Sequence, residues 1–308
     1  MSNIRWLLAG GAVALTLAGL PAASASASTT ASRAGLPTRV MHLKAGSQTA
    51  TFKIRGDWKM VKAKLPVEHL PRPKIIKPGT ARANGSATSG NWSGYVDIAN
   101  KGVSLRYVTA DFNIPNLNCA NSTPGTSGFS YYSGWTGLDG WTDGTVEQQG
   151  IESYCSGSTQ GLWVFYEMYP AAPVVFTGAS PGDALQASTY YNTSTGNYSL
   201  VVTDLTQGGA GVSETIKCAG TCHNSSAEVV SEAPGGGPPA YGLADYGAQN
   251  YTTVGVTSRN GTKGTLAASK LWSSDSIKMV ASSSHDTLST VGALQGSTAF
   301  VAKWAAST

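Results

Sequence analysis

Leu105-Arg-Tyr-Val-Thr-Ala-Asp-Phe112 mixes β-branched and aromatic residues with polar ones in a rough alternation. Successive side chains of a strand point to opposite faces, so a run of this kind fits a strand with one face in a core. Leu162-Trp-Val-Phe-Tyr-Glu-Met168 and Tyr198-Ser-Leu-Val-Val-Thr203 have the same texture, and Ala299-Phe-Val-Ala-Lys-Trp304 is the last strand candidate. Asn192-Thr-Ser-Thr-Gly196 and Arg259-Asn-Gly261 read as hairpin turns. No amphipathic helix of three turns interrupts the series, and no short repeat is visible. Many short strands without alternating helices predict an all-β chain, an antiparallel two-sheet β-sandwich or barrel. Ala233-Pro-Gly-Gly-Gly-Pro-Pro239 is too brief for a domain linker and reads as a rigid loop on the sandwich surface.

The strand texture does not extend over all 308 residues. Residues 1–27 read as a secretory signal: Arg5, an apolar run from Leu7 to Leu20, then small residues in Ala23-Ser-Ala-Ser-Ala27. The run is shorter than the roughly 20 residues of a membrane helix. Residues 28–88 carry 12 Lys/Arg against two acids, a surplus of ten positive charges. Residues 89–308 carry 8 Lys/Arg against 15 Asp/Glu, a deficit of seven. A basic segment ahead of an acidic domain can sit on it at neutral pH and lose its grip as carboxylates protonate. The segment therefore reads as a basic propeptide acting as an intramolecular inhibitor, with a plain linker as the alternative. Pro66, Pro71, Pro73 and Pro78 make its end extended and protease-accessible. A nucleic-acid arm does not fit a segment that lies behind a secretory signal. The organisation expected is signal 1–27, basic propeptide or linker 28–88, and one sandwich domain over 89–308. The protein should be extracellular, free of the membrane after signal removal, and monomeric.

Four cysteines, Cys119, Cys155, Cys218 and Cys222, all lie in the last region. An even count in an exported chain predicts two disulfides, Cys119–Cys155 and Cys218–Cys222. The first closes a loop worth roughly 3–4 kcal/mol in the chain-entropy model. With the cysteines paired, no thiol nucleophile is left. The domain has only His223 and His285, without ligand spacing, so no metal or other cofactor is expected. It also lacks a Gly-x-Ser-x-Gly elbow. What remains are acids in aromatic surroundings: Asp139, Glu147, Glu167 and Glu232. Two carboxylates can serve a glycosidase, whereas one carboxylate and one amide can serve a peptidase. Composition alone leaves both open, along with a carbohydrate-binding sandwich.

Six blocks narrow the choice. Asn91-Trp-Ser-Gly-Tyr95, Trp135-Thr-Gly-Leu-Asp-Gly140, Val146-Glu-Gln148, Phe165-Tyr-Glu-Met-Tyr-Pro170, Ser226-Ala-Glu-Val-Val-Ser-Glu232 and Leu243-Ala-Asp-Tyr-Gly247 occur in this order. The series resembles the glutamic peptidase (eqolisin) family, most closely its secreted bacterial branch. The resemblance implies a concave, lectin-like sandwich with a site on its hollow face. It also implies catalytic roles for Gln148 and Glu232, and supporting positions in the cleft for Trp92, Trp135, Asp139 and Glu167. The chain departs from the family pattern at Val229, where tryptophan is usual, and at Phe165. Gln149 follows Gln148, so a register one residue later would select the wrong amide. Glu228 and Glu232 share a face if their segment is a strand.

The expected chemistry is hydrolysis of protein or peptide substrates. Glu232 acts as general base on a water and then as acid to the departing amine, and Gln148 stabilises the oxyanion. An ordinary glutamate titrates near ~4.3, so activity is expected at about pH 3–5, with insensitivity to pepstatin implied by the family. The alternatives are a sugar-binding or sugar-cleaving sandwich, and an inactive homologue serving as a binding protein.

Overall fold

Alternation of inward and outward side chains organises nearly every element of the chain. The computed structural model describes residues 35–45, 48–61, 75–77, 85–218 and 220–308. The expected signal segment and the proline-rich end of the basic segment lie outside the described residues, Ile75–Lys77 excepted. The strands in chain order are β1 (Thr38–Ala45), β2 (Gln48–Arg55), β3 (Lys59–Val61), β4 (Ile75–Lys77), β5 (Gly85–Ser89), β6 (Trp92–Ala99), β7 (Leu105–Asn113), β8 (Ser130–Leu138), β9 (Val146–Ser156), β10 (Thr159–Tyr169), β11 (Val174–Thr177), β12 (Ala184–Asn192), β13 (Asn197–Asp204), β14 (Ala210–Lys217), β15 (Ser226–Glu232), β16 (Gly242–Leu243), β17 (Ala248–Ser258), β18 (Lys263–Gly264), β19 (Trp272–Val280), β20 (Thr287–Val291) and β21 (Phe300–Trp304). Among the described residues the only helical turn is a 3₁₀ turn at Pro234–Gly236.

Pairing sorts the strands into two layers. One runs β4–β5–β19–β6–β15–β8–β9–β10–β11–β3. The other runs β1–β2–β14–β13–β12–β7–β17–β21–β20. β20 also pairs with β19, which joins the layers along one side. The ladders are antiparallel except β5 with β19 and β16 with β8. This is the expected all-β sandwich. The hairpin turns at Asn192–Gly196 and Arg259–Gly261 fall between β12 and β13 and between β17 and β18.

The core between the layers is filled from both sides. Tyr95, Leu138, Ile151, Tyr166 and Val229 come from the first layer, and Phe112, Tyr198, Leu200, Tyr251 and Phe300 from the second. Tyrosine hydroxyls reach through this core to polar partners. Tyr251 donates to the carbonyl of Val230 at 2.7 Å and pairs with the Ser231 hydroxyl at 3.0 Å, which pins the end of β15 from behind. The disulfides pair as expected, Cys119 with Cys155 and Cys218 with Cys222.

Two findings go beyond the sequence reading. The Ala233–Pro239 loop is not a surface loop: Ala233, Pro234, Gly237 and Pro238 are buried, and the amide of Ala233 is bonded to the carbonyl of Asn91 at 2.8 Å. This loop follows directly on Glu232 and returns the chain into the body. The basic segment also contributes strands: β2 pairs with β14 and β3 with β11, while Ala50, Phe52, Ile54 and Trp58 enter the core.

Candidate active site

β13 alternates between buried and half-buried positions, as a strand with one wetted face does. By contrast, β8 and β15 are buried at every position. Their outer face is therefore covered as well as their inner one, and that outer face holds the residues the sequence singled out.

Register sets which side chains share it. Across β6, β15, β8, β9 and β10, one row reads Val96, Glu228, Gly137, Gln148, Glu167. The next row on the same face reads Gly94, Val230, Trp135, Gly150, Phe165, and the third Trp92, Glu232, Ser133, Glu152, Trp163. On the patch made by β15, β8 and β9, Gln148 and Glu232 occupy opposite corners and Trp135 the centre. Gly137 and Gly150 flank Trp135 because a side chain at Gly137 would crowd its indole and one at Gly150 would collide with its Cβ and with the Gly134 carbonyl. A Cβ on Gly137 would lie 3.0 Å from Trp135 Cζ3, and one on Gly150 would lie 2.6 Å from Trp135 Cβ. The same face carries an apolar cluster of Trp92, Val96, Trp135, Trp141, Val146, Phe165, Val175, Val230 and Ile277.

Hydrogen bonds fix both corners. Trp135 Nε1 donates to Glu232 Oε2 at 2.8 Å, and Asn91 Nδ2 donates to Glu232 Oε1 at 3.3 Å. Asn91 is held in turn by the Ser89 hydroxyl, which donates to its Oδ1 and accepts from its backbone N–H. Trp92 packs edge-on against Trp135 with centroids 4.9 Å apart, so the indole that grips Glu232 is itself clamped. At the other corner Gln148 Nε2 donates to Glu167 Oε2 at 2.7 Å. A carboxylate accepts, so this bond fixes which end of the amide is nitrogen. Gln148 Oε1 is buried without a hydrogen-bond partner among the described residues. Gln148 is 1 % exposed and Glu232 0 %.

The choice between the two adjacent amides follows from the pleat. Gln149 points into the core, where it donates to Thr136 Oγ1 at 2.7 Å and accepts from Thr189 Oγ1 at 2.8 Å. Val229 also points into the core, on the face opposite Glu228, so its difference from tryptophan falls behind the site rather than in it. Phe165 is on the site face. Tyr166 is a core residue whose hydroxyl donates to the carbonyl of Val212 at 2.7 Å.

Of the supporting candidates, Trp92, Trp135 and Glu167 join the site, and Asp139 does not. Asp139 sits past the end of β8 at φ 66°. It accepts from the backbone amides of Asn224 at 2.7 Å and Ser225 at 2.6 Å, which staples the start of β15 to the end of β8. Burial, followed by the neighbouring Asp143, pushes its carboxyl up to about 6. Glu147, on the core face, is raised well above the carboxylate range by burial first and then by Asp139 and Asp143. Glu228, which shares a row of the site face with Gln148 across Gly137, is raised in the same way, again chiefly by burial. The reading of the sequence missed Asn91 as a partner of Glu232 and Glu152 as a fourth acid on the site face, with Glu167, Glu228 and Glu232. Asn91 opens the first motif block, but a contact across 141 positions is not visible in a linear pattern. No group of His, Cys, Asp or Glu suited to hold a metal ion occurs among the described residues.

Comparison with known proteins agrees with this architecture. Residues 90–301 match the Peptidase A4 family. A crystal structure of scytalido-glutamic peptidase with a peptide-based transition-state analog superposes with a TM-score of 0.56 at 22% identity, covering 70% of this chain and 98% of that one. A second structure of that enzyme, with a transition-state analog inhibitor, gives 0.55 at 21% identity over the same shares. No curated protein is similar enough to match. At these identities the superpositions establish the fold, and the family match establishes kinship over the region that carries the site. The chain belongs to the Peptidase A4 family, the glutamic peptidases.

Proposed function

We propose that this protein is a secreted acid endopeptidase in which Glu232 and Gln148 hydrolyse peptide bonds. The observation that supports the reading is the covered face itself: it carries the Gln148 carboxamide in one row with Glu228 and Glu167 and the Glu232 carboxyl four residues further along β15, with Gln148 bonded to Glu167 and Glu232 bonded to Trp135 and Asn91. Glu232 takes a proton from water as the water oxygen bonds to the scissile carbonyl carbon. One N–H of the Gln148 amide is held by Glu167, and the other is left to donate to the oxyanion. When the tetrahedral intermediate collapses, the C–N bond breaks and Glu232 returns the proton to the departing amine, leaving an acid and an amine. Asn91 and Trp135 keep the carboxylate of Glu232 in place throughout.

The reading includes latency. In the full chain neither catalytic side chain is exposed. Val61 and Ala87, at either end of the rest of the basic segment, pack against the cluster around Trp92 and Trp135. A basic segment blocking an acidic cleft would loosen as the carboxylates protonate, so activation belongs at low pH. The disulfides suit an oxidising compartment, in line with secretion.

The test is digestion of a denatured protein after incubation at pH 4, with pepstatin present, alongside a sugar-release assay on plant and fungal polysaccharides. Expected are peptide cuts at acid pH despite pepstatin, and no released sugar. Activity confined to pH above 7, or sugar release without proteolysis, would overturn the assignment.

A further inference from the structure

The hairpin at the head of the chain is packed as part of the body, not laid upon it. β1 and β2 form a hairpin over Thr38–Arg55, and β2 adds to the outer edge of β14 through five consecutive residue pairs, Gly211↔Arg55 to Thr215↔Thr51. The chain then turns and β3 adds to the edge of β11 in the other layer. One short segment thus closes both layers along the same side of the sandwich. Between the two additions it feeds the core: Phe52 and Trp58 are 0 % exposed. Phe52 lies 5.5 Å from Phe176 and 6.2 Å from Tyr166, and those two rings lie 5.5 Å from each other, so three strands share one aromatic cluster.

The body is shaped to receive it. Gly178, just after β11, lies under the Trp58 ring at φ 142°, and a Cβ there would collide with the indole. On the hairpin side, Gly56 at φ 78° meets the body at Ala210, where a Cβ would stand 2.9 Å from the Ala210 Cβ. Gln48 Nε2 donates to the carbonyl of Cys218 in the body at 2.9 Å, and within the segment itself Arg39 Nη2 donates to the carbonyl of Trp58 at 2.6 Å. Release of the segment would uncover Tyr166, Phe176 and Val212 and leave two strand edges, β14 and β11, unpaired side by side. Open apolar edges of this kind associate with other chains unless they are covered. The hairpin precedes residues 90–301, so the region that marks the family does not include it.

We propose that Leu36–Val61 is a permanent structural part of the active protein, which stays bound as a separate non-covalent chain after the connection to residues 85–308 is cut. Release from inhibition then belongs to the connecting stretch alone, and the mature molecule has two chains. The inference about activation rests on the peptidase reading, but the retention itself does not.

The test separates the two. A recognition site for an added sequence-specific protease is inserted between Val61 and Gly85 of the full chain carrying Glu232→Gln, and the cut product is run on native size exclusion with mass analysis of the peak. The hairpin fragment is expected to co-elute one-to-one with the body and to melt with it in a single transition. Adding Trp58→Ala to the same chain should weaken retention by at least about 100-fold, the effect of truncating a fully buried tryptophan. Elution of the fragment away from a body that keeps its melting temperature would overturn the proposal, as would retention unaffected by Trp58→Ala. Because the added protease makes the cut, neither result depends on the chain's own activity.

Discussion

Replacement of Gln148 by alanine is expected to reduce peptide cleavage by about 100- to 1,000-fold, the effect of losing one preorganised oxyanion donor. The variant should remain folded, because the side chain makes one hydrogen bond, to Glu167, and leaves the ladder of β9 intact. Gln148→Glu is more informative. It keeps the size and an acceptor but puts a carboxyl against Glu167 and two strands from Glu228, on a face where burial already opposes charge. One of these acids would then hold a proton, and the variant should work poorly with a pH profile displaced from that of the parent. The check is kcat/KM on a denatured protein or quenched peptide from pH 3 to 7, with melting temperatures measured in parallel. Wild-type rates in Gln148→Ala would remove the amide from the mechanism.

Stability should fall as pH rises from about 4 to 8. Asp139 is pushed up to about 6 and Glu214 up to about 8, both chiefly by burial. Glu147, Glu228 and Asp97 are raised as well, for the same reason. Each group holds a proton in the fold that an unfolded chain releases near pH ~4. Unfolding therefore releases protons, and base favours the unfolded chain. The stabilisation is fully present below pH ~4. The part due to Asp139 is lost as pH passes 6, and the part due to Glu214 as it passes 8. At about 1.4 kcal/mol per pH unit, these two alone are worth ~3 and ~5 kcal/mol. Attraction between the basic segment and surface acids works in the opposite direction, but exposed pairs contribute only about 0–1 kcal/mol each, so the buried groups decide the sign. Calorimetry of a catalytically dead variant at pH 4, 6 and 8 should show a melting temperature that declines at each step. A melting temperature that is flat or rising would contradict the burial of these acids.

Much of the fold is legible in the sequence, for a definite reason. β7, β10 and β13 announce themselves by alternation and by the Gly and Asn of their turns, both local properties. The site is legible only as a set of motif blocks, because what brings it together is register. The pleat puts Glu228 and Glu232 on one face, as their spacing implies, and separates Gln148 from Gln149. The sequence does not show that the outer face of β8 and β15 is covered, since a strand buried on both sides has lost the alternation that would identify its faces. Asp139 looks like a cleft acid because it lies in a motif, yet it holds a loop by accepting two backbone amides. The most instructive case is β2. In Gln48-Thr-Ala-Thr-Phe-Lys-Ile-Arg55, Ala50, Phe52 and Ile54 point inward while Lys53 and Arg55 point out. The charges of the segment mark only its outer face, and the alternation of the inner one is written in the same eight residues.

The central claim is that Glu232 does the proton work of a water-splitting pair. The measurement that addresses it most directly is the rate at which Glu232→Gln, which keeps the shape but cannot take a proton, cleaves a denatured protein at pH 4 beside the wild type. The account predicts no cleavage above background from a variant that melts normally. Cleavage at a wild-type rate would contradict it.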